Sequence, residues 1–476
     1  MTESSEPISG QSNGTPQKRR GIVHHVKHHA SRFRDKLKTR QGVKSVLSTL
    51  TTIATIIPMI WILGAILCQV AIEVFDESLA IEPISVPSSV EALGYTPDVV
   101  AARLGDEILS IRSNAASLMK LQSIAVGKSA ASMITPDSTG SVVVISSVLR
   151  FLHLSRRTYV TGEITAEENG YRLRLRVAGY GGIIGSGPEA KSSVEELFHD
   201  AAHDLMLETE PYIVGVLEYK ADHLEVVEHI ARDAIVSCRV RPNADMCAAL
   251  AHNLLGAVHF KLGKKHEAET EVEFKEAEVE FENAVHLADL AMFHENRGEV
   301  FQAQAMNLIK RRLPAQQEFG AAILEYQKAI SLDGNYESPH LHLAYTYKLQ
   351  GDLDSALEAA QKASKINKYD IVPLVLAGRI SSYLGQYETG MKAFDDATKI
   401  DANNDFIRHY RGLALLLEAS TATDGQAAQL RQSACAEFVK RNKNIKWDDD
   451  WSERCAKAAG KPMSDIDVRE VKRRLI

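Results

Sequence analysis

The segment His199-Asp-Ala-Ala-His203 sets two imidazoles one helical turn apart, the spacing at which a helix offers two ligands to one zinc ion. Zinc peptidases carry a glutamate where Asp200 stands, and aspartate is one methylene short for that base role. On a helical wheel Val194, Leu197, Phe198, Ala201 and Leu205 share one face, and both histidines fall on the opposite, solvated side. Gly179, Gly181 and Gly185 form G-x-G-x3-G between a strand and a helix, the place of a dinucleotide site. That fingerprint follows a fully buried parallel strand, whereas here Leu173, Leu175 and Val177 alternate with Arg172, Arg174 and Arg176. Gly127-Lys128-Ser129 ends like a phosphate loop, but Gln122 stands where its first glycine belongs. His24, His25, His28 and His29 lie among cations that repel a metal ion. These residues therefore predict no catalytic residue, no metal and no cofactor.

A second kind of information lies in residues 46–72, which hold no charged side chain between Lys44 and Glu73. A helix needs roughly 20 residues to cross a bilayer core, so the run predicts a transmembrane helix over 46–73. A signal peptide has a shorter apolar core, roughly 7–15 residues, and a small-residue cleavage site after it. Residues 1–45 carry ten Lys and Arg against three acids, a net of +7, which leaves −14 for the remainder. Basic residues resist translocation, so the expected placement is a cell inner membrane crossed once. In that placement the N-terminal tail is cytoplasmic, the later domains are periplasmic, and the lipid bilayer is one partner. Within the tail Ile22, Val26, Ala30, Phe33 and Leu37 form an apolar stripe opposite Lys27, Arg32, Lys36 and Arg40. A helix lying on an anionic leaflet and a solvated basic tail both fit that pattern. Pro58 is a tolerated kink, and no charge inside the span suggests an ion path.

Of five cysteines, Cys68 lies in the apolar run and the others form two close pairs, Cys238/Cys247 and Cys435/Cys455. An oxidising compartment permits bridges between them, and pairing by proximity is the simplest of three connectivities. Four reduced, unrelated thiols are the alternative.

The C-terminal half repeats itself every 34 residues. Leu343, Ala344, Tyr347, Gly351, Ala356, Ala363 and Ile366 align with Ala377, Gly378, Ser381, Gly385, Gly390, Ala397 and Ile400, and a third register opens at Arg408 with Gly412 and Leu415. This resembles the tetratricopeptide repeat (TPR), a helical hairpin of that length, although the consensus Trp and Pro are missing. Small residues at the eighth and twentieth positions let two helices approach, and larger ones fill the gaps between hairpins. Upstream, Leu255-Gly256 with Gly263 and then Leu290-Ala291 with Gly298 read as two further first helices, their partners displaced by insertions. The array is expected to span 248–420, four repeats and a closing helix at 404–419, with 421–476 as an appendage held by Cys435–Cys455.

The resemblance implies a superhelix whose groove is lined by the first (A) helix of each hairpin. Its groove positions give Ser338, Leu341, Tyr345, Lys348 and Leu349, then Val372, Val375, Arg379, Ser382 and Tyr383, then Phe406 and His409. Tyr345, Lys348, Arg379, Tyr383 and His409 are the expected partner-binding residues, for an extended or helical segment with apolar anchors and acidic groups. The Lys and Asn clamp with which some such domains hold a peptide carboxylate is absent, Leu341 and Tyr345 standing in its places.

Residues 84–237 read as a small α+β domain: an extended stalk at Ile84–Pro87, a helix at 97–119, strands at Thr158–Thr165 and Tyr171–Val177, then helices at 192–208 and 211–236. Their order before a repeat array is similar, in architecture alone, to small extracytoplasmic domains of bacterial membrane-anchored TPR proteins. The fold class is thus mainly α: a transmembrane helix, a small α+β extracytoplasmic domain and a TPR α-solenoid. A pI near 6.2 and the −14 remainder argue against nucleic acid as a partner. The expected function is a membrane-anchored scaffold that is not an enzyme. It binds a protein or peptide outside the cytoplasm. The alternative is an envelope metal-dependent hydrolase using the repeats as a substrate arm. Nothing in the sequence sets the oligomeric state.

Overall fold

The computed structural model describes residues 79–119, 158–178, 183–185, 190–240, 243–266, 270–440, 451–457 and 467–475, with Trp61 and Gly64. The basic tail, the apolar run 46–72 apart from those two positions, Gly127-Lys128-Ser129, Gly179 and Gly181 lie outside the described residues. Among the described residues no helix is long and apolar enough to cross a membrane. That overturns the expected single-pass inner-membrane placement with periplasmic domains. A span tolerates almost no charge along roughly 20 residues, and the longest described helices fail on this count. Pro97–Met119 carries Asp98, Arg103, Asp106, Glu107 and Arg112, and Ala244–Lys265 carries Asp245, Lys261, Lys264 and Lys265.

The chain divides into two compact units, the first built from residues up to Gly105, 123–184 and 188–194. It holds a four-stranded sheet of β1 (Leu79–Ile81), β2 (Thr158–Glu167), β3 (Gly170–Val177) and β4 (Ile183–Gly185), in that spatial order. β2 and β3 form the expected antiparallel hairpin, Val160 opposite Val177 and Glu167 opposite Gly170. Leu173, Leu175 and Val177 are buried, while Arg172 pairs with Glu167 at 2.7 Å and Arg176 with Glu163 at 3.4 Å. Alternation has done what it physically must, one face dry and one charged. The stalk at 84–87 is instead part of the sheet edge. β1 lies parallel to β2, and the Ser85 amide donates to the Gly162 carbonyl at 2.9 Å while its carbonyl accepts from Ile164 at 2.7 Å. A three-residue strand broken by Pro83 is too short to show a period of two. Helix α1 (Ser88–Glu91) follows, and α2 (Pro97–Met119) belongs partly to each unit.

The second unit is helical. After α3 (Val194–Thr209) come α4 (Pro211–Lys220) and α5 (Leu224–Ser237), where one helix was expected over 211–236. The break is at Asp222, whose backbone is left-handed (φ +68°) and whose carboxylate sits between Lys261 at 2.9 Å and Lys265 at 2.5 Å. Those hydrogen bonds hold its pKa down at about 2.

Helical hairpins then stack. They are α6 (Ala244–Lys265) with α7 (Thr270–Leu287), α8 (Ala291–Lys310) with α9 (Gln316–Leu332), α10 (Glu337–Gln350) with α11 (Leu353–Ile366) and α12 (Ile371–Tyr383) with α13 (Tyr387–Ile400). The expected closing helix α14 (Asp405–Ala419) has a partner of its own, α15 (Asp424–Val439). Two short helices, α16 (Trp451–Lys457) and α17 (Val468–Leu475), complete the described chain.

A small residue facing a large ring holds the hairpins shut. A Cβ on Gly256 would lie 2.9 Å from the Phe281 ring, on Gly298 2.6 Å from Tyr326, on Gly378 2.9 Å from Phe394, and on Gly412 2.6 Å from Phe438. All four rings are buried. Gly298 therefore occupies the place that Gly256 occupies one hairpin earlier, and Leu290-Ala291 does not, a shift of register by one heptad. The insertion that obscured this lengthens α8 and α9 themselves, leaving only Arg311–Ala315 as the turn between them. Gly351 and Gly385, with φ of +86° and +79°, end α10 and α12 as the repeat pattern expects. Asp352, Asp370 and Asn404 cap the following helices through their side-chain oxygens.

Gly378→Ala should destabilise the protein by about 1–3 kcal/mol, because the Phe394 ring is packed among Val375 and Ala397 and has nowhere to move. Gly320→Ala, at a helical position with nothing within 4 Å, should be neutral or stabilising by up to about 1 kcal/mol. Urea unfolding of both variants checks the contrast; equal effects would contradict the packing argument.

Candidate functional site

Five side chains were expected to line the A-helix face, and the structure treats them unequally. Tyr345 and Lys348 on α10 are half-buried, with the Lys348 ammonium 5.7 Å from the Tyr345 ring centroid. Arg379 on α12 is buried, its guanidinium stacked 3.9 Å over the Tyr410 ring. Burial and the nearby charge of Arg379 push Lys348 down to about 8, and burial raises Tyr345. His409 on α14 belongs to the core: its ring meets Tyr410 and Phe438 edge-on, with centroids 4.9 and 6.2 Å away. Arg379 and Tyr383 both meet α17. The Arg379 Nε donates to the Leu475 carbonyl at 2.7 Å, and Lys472 lies 5.7 Å over the Tyr383 ring.

The other end of the same face carries residues the sequence reading missed. A cavity of about 400 Å³ is lined by Tyr212, Asn253, Lys264, Asn296, Glu299 and Tyr336, with apolar walls that include Phe260 and Phe281. The Asn296 amide donates to Asn253 at 2.7 Å, and Asn253 donates to the Tyr212 hydroxyl at 3.3 Å. Lys264 sits 3.8 Å over the Phe260 ring, and burial lowers its pKa. Beside the cavity Glu295 and Glu299 converge on His342, whose Nε2 lies 3.5 Å from one carboxylate and 3.0 Å from the other. The Tyr336 hydroxyl donates to Glu295, and the His342 ring stacks on Tyr326 at 5.3 Å. Burial pulls the His342 pKa down, but the two carboxylates outweigh it and raise it to about 9. Burial works against the Glu299 charge, yet His342 and Lys264 hold its pKa below the usual value.

The ligand atoms of Glu295, Glu299 and His342 lie within 4.8 Å of one another, close enough for a metal ion. Imidazole must give up a proton to bind one, and the two carboxylates raise the His342 pKa to about 9. The proton already supplies the positive charge that the two carboxylates require. Glu295 and Glu299 fall at the fifth and ninth repeat positions once Gly298 is placed at the eighth, and Asn253 at the fifth once Gly256 is. The shift of seven residues hid Glu295 and Glu299, whereas Asn253 stands in the register already expected from Leu255-Gly256.

His199 and His203 do not converge. His199 is exposed, 3.7 Å from Glu107, and His203 lies 3.8 Å from Asp204 and 3.9 Å from Glu218. A hydrogen bond to Asp204 raises the His203 pKa, the opposite of what a zinc ligand needs. Gly185 lies in β4, and Gly179 and Gly181 fall outside the described residues. The structure joins Cys238 to Cys247, with Cα atoms 5.5 Å apart, and Cys435 to Cys455 at 5.3 Å. The second bridge ties α15 to α16.

The tetratricopeptide-repeat family model matches residues 338–370 and 373–404. These two segments are tetratricopeptide repeats. They coincide with the hairpins α10/α11 and α12/α13. The small glutamine-rich tetratricopeptide repeat-containing protein 2 of Mycosarcoma maydis is 26% identical over 137 residues, 28% of this chain. The chain spans 38% of that relative's length. Among solved structures, PilF of Pseudomonas aeruginosa is 17% identical, with 54% of this chain and 99% of that one covered and a TM-score of 0.38. YrrB, a TPR protein with an unusual peptide-binding site, is 18% identical, with 44% and 96% covered and a TM-score of 0.30. At these values neither structure bears on what this chain binds. The likeness to bacterial membrane-anchored proteins gains no support from these matches.

The raised pKa of His342 fixes a pH dependence. Its stabilisation is fully present below the unfolded value of 6.5 and is lost as pH rises through about 9. His342→Gln should therefore cost about 3 kcal/mol at pH 6, and less as the pH approaches 9.5. Parallel unfolding free energies of the two proteins across that range would contradict the charged triad.

Proposed function

We propose that this protein is a scaffold that binds a segment of another protein along its A-helix face. What carries the reading is the cavity of about 400 Å³ at Asn253, Asn296, Glu299 and Tyr336, on a stack of helices that includes tetratricopeptide repeats. Donors, acceptors, both signs of charge and aromatic walls meet there in one partly enclosed space, which is the composition of a recognition site. The face is polar in its charge: Glu295 and Glu299 with Tyr336 at one end, Lys348 and Arg379 with Tyr345 at the other. A segment lying along it would place a basic group near Glu299 and an acidic group near Lys348. An acid there would offset the burial that lowers the Lys348 pKa. Electrostatic complementarity of this kind sets the direction of the bound segment and its association rate.

The partner-binding set is accordingly Tyr345, Lys348, Arg379 and Tyr383, extended by Asn253, Asn296, Glu299 and Tyr336. The hydrolase reading rested on His199 and His203, and these face different carboxylates.

Peptides selected against the full chain from a random display library provide the test. Tyr345→Ala and Tyr336→Ala should each weaken selected peptides by about 1–3 kcal/mol, as truncated aromatic anchors do. Glu299→Gln should lower the association rate for peptides with a basic residue and flatten its salt dependence. Selected peptides indifferent to all three folded variants would sink the assignment.

A further inference from the structure

Helix α17 covers part of the face just described. It is short, eight residues from Val468 to Leu475; of its three apolar side chains Val471 and Leu475, one turn apart, are fully buried and Val468 is half-buried. They enter the cluster built from Leu413, Leu416, Phe438 and Trp451. Its outer side carries the charges: Lys472 and Arg473 are exposed, and Glu470 pairs with Arg474 at 3.0 Å and with Arg454 of α16 at 3.6 Å. The last carbonyls of any helix lack intrahelical donors and carry the negative end of its dipole. Arg379 supplies a donor and a positive charge at that end, to the backbone carbonyl of Leu475. The contact reads a helix terminus and not a side-chain type.

We infer that α17 is a displaceable occupant, and that the surface of Arg379, Tyr383 and Tyr410 is a receptor for the last turn of a short amphipathic helix. The partner it fits is a helix with an apolar pair four residues apart, a basic outer face and an open C-terminal turn. Such a partner competes with α17 for the place. The inference rests on the reading of the A-helix face as a binding surface. An eight-residue helix is too short to hold its shape alone, so its docking depends on the covalent tether. The bridge Cys435–Cys455 fixes α16 to α15, and α17 follows α16 in the chain. Its covalent attachment to the chain keeps α17 at a high local concentration, which masks the surface against dilute partners while permitting exchange.

The probe is an N-acetylated, fluorescently labelled peptide with the sequence of residues 467–476, titrated into the full chain. The chain carrying Val471→Asp, which expels α17, should bind it about tenfold more tightly than the wild type. A probe carrying Leu475→Asp leaves the protein untouched and should bind that chain about tenfold more weakly. Hydrogen exchange gives a second readout: excess probe should speed exchange at 468–475 in the wild-type chain and leave α10–α13 unchanged. Equal binding by the two chains, no binding by either, or exchange at 468–475 that ignores the probe would overturn the inference. If library peptides still require Tyr345 in that event, the binding face stands and only the role of α17 falls. If they do not, both fall.

Discussion

The helical hairpins of this molecule depend on the contact between a residue without a side chain and a ring without room to move. Gly256, Gly298, Gly378 and Gly412 each stand against an aromatic ring of the paired helix, with less than 3 Å to spare for a Cβ. The rings fill the space that glycine leaves, so one contact sets both how near two helices come and which residues face each other. Everything on the A-helix face follows from it. With Gly298 in that place, Glu295 and Glu299 turn toward His342; with Gly378 there, Arg379 turns toward Tyr410 and α17.

Charge is then sorted along the face by packing. Acidic groups at one end are held by an imidazolium and a phenol, and the bases at the other are crowded against aromatic rings. The two carboxylates raise His342 to about 9, and burial with the nearby charge of Arg379 lowers Lys348 to about 8. The same features suit recognition, where charges partly removed from water discriminate strongly among partners.

The A-helix face is also where the chain touches itself. Arg379 spends a hydrogen bond on a backbone carbonyl of its own last helix, and Lys472 lies over Tyr383. A surface that reads a helix end through the backbone accepts many sequences. Its selectivity has to come from the apolar pair and from the acidic end of the face, which lies on the earlier hairpins.

Much of this was legible in the residues themselves. The 34-residue period located α10 to α13, and alternation of leucine with arginine located β3, because both patterns arise from contacts local to one element or one hairpin. Gly351 and Gly385 marked helix ends because the left-handed conformation they adopt is a local requirement. The single-pass membrane placement drew on charge and hydropathy alone, and among the described residues no helix supports it. What needed the tertiary structure were the relations between distant elements. The pairing of β1 with β2, the break at Asp222 made by Lys261 and Lys265, and the true place of Gly298 depend on partners that no local period encodes. The burial of His409 and the seating of α17 on Arg379 belong with them. A sequence states which faces are apolar; only packing decides which of two apolar faces meets which, because burial is roughly proportional to area and indifferent to identity.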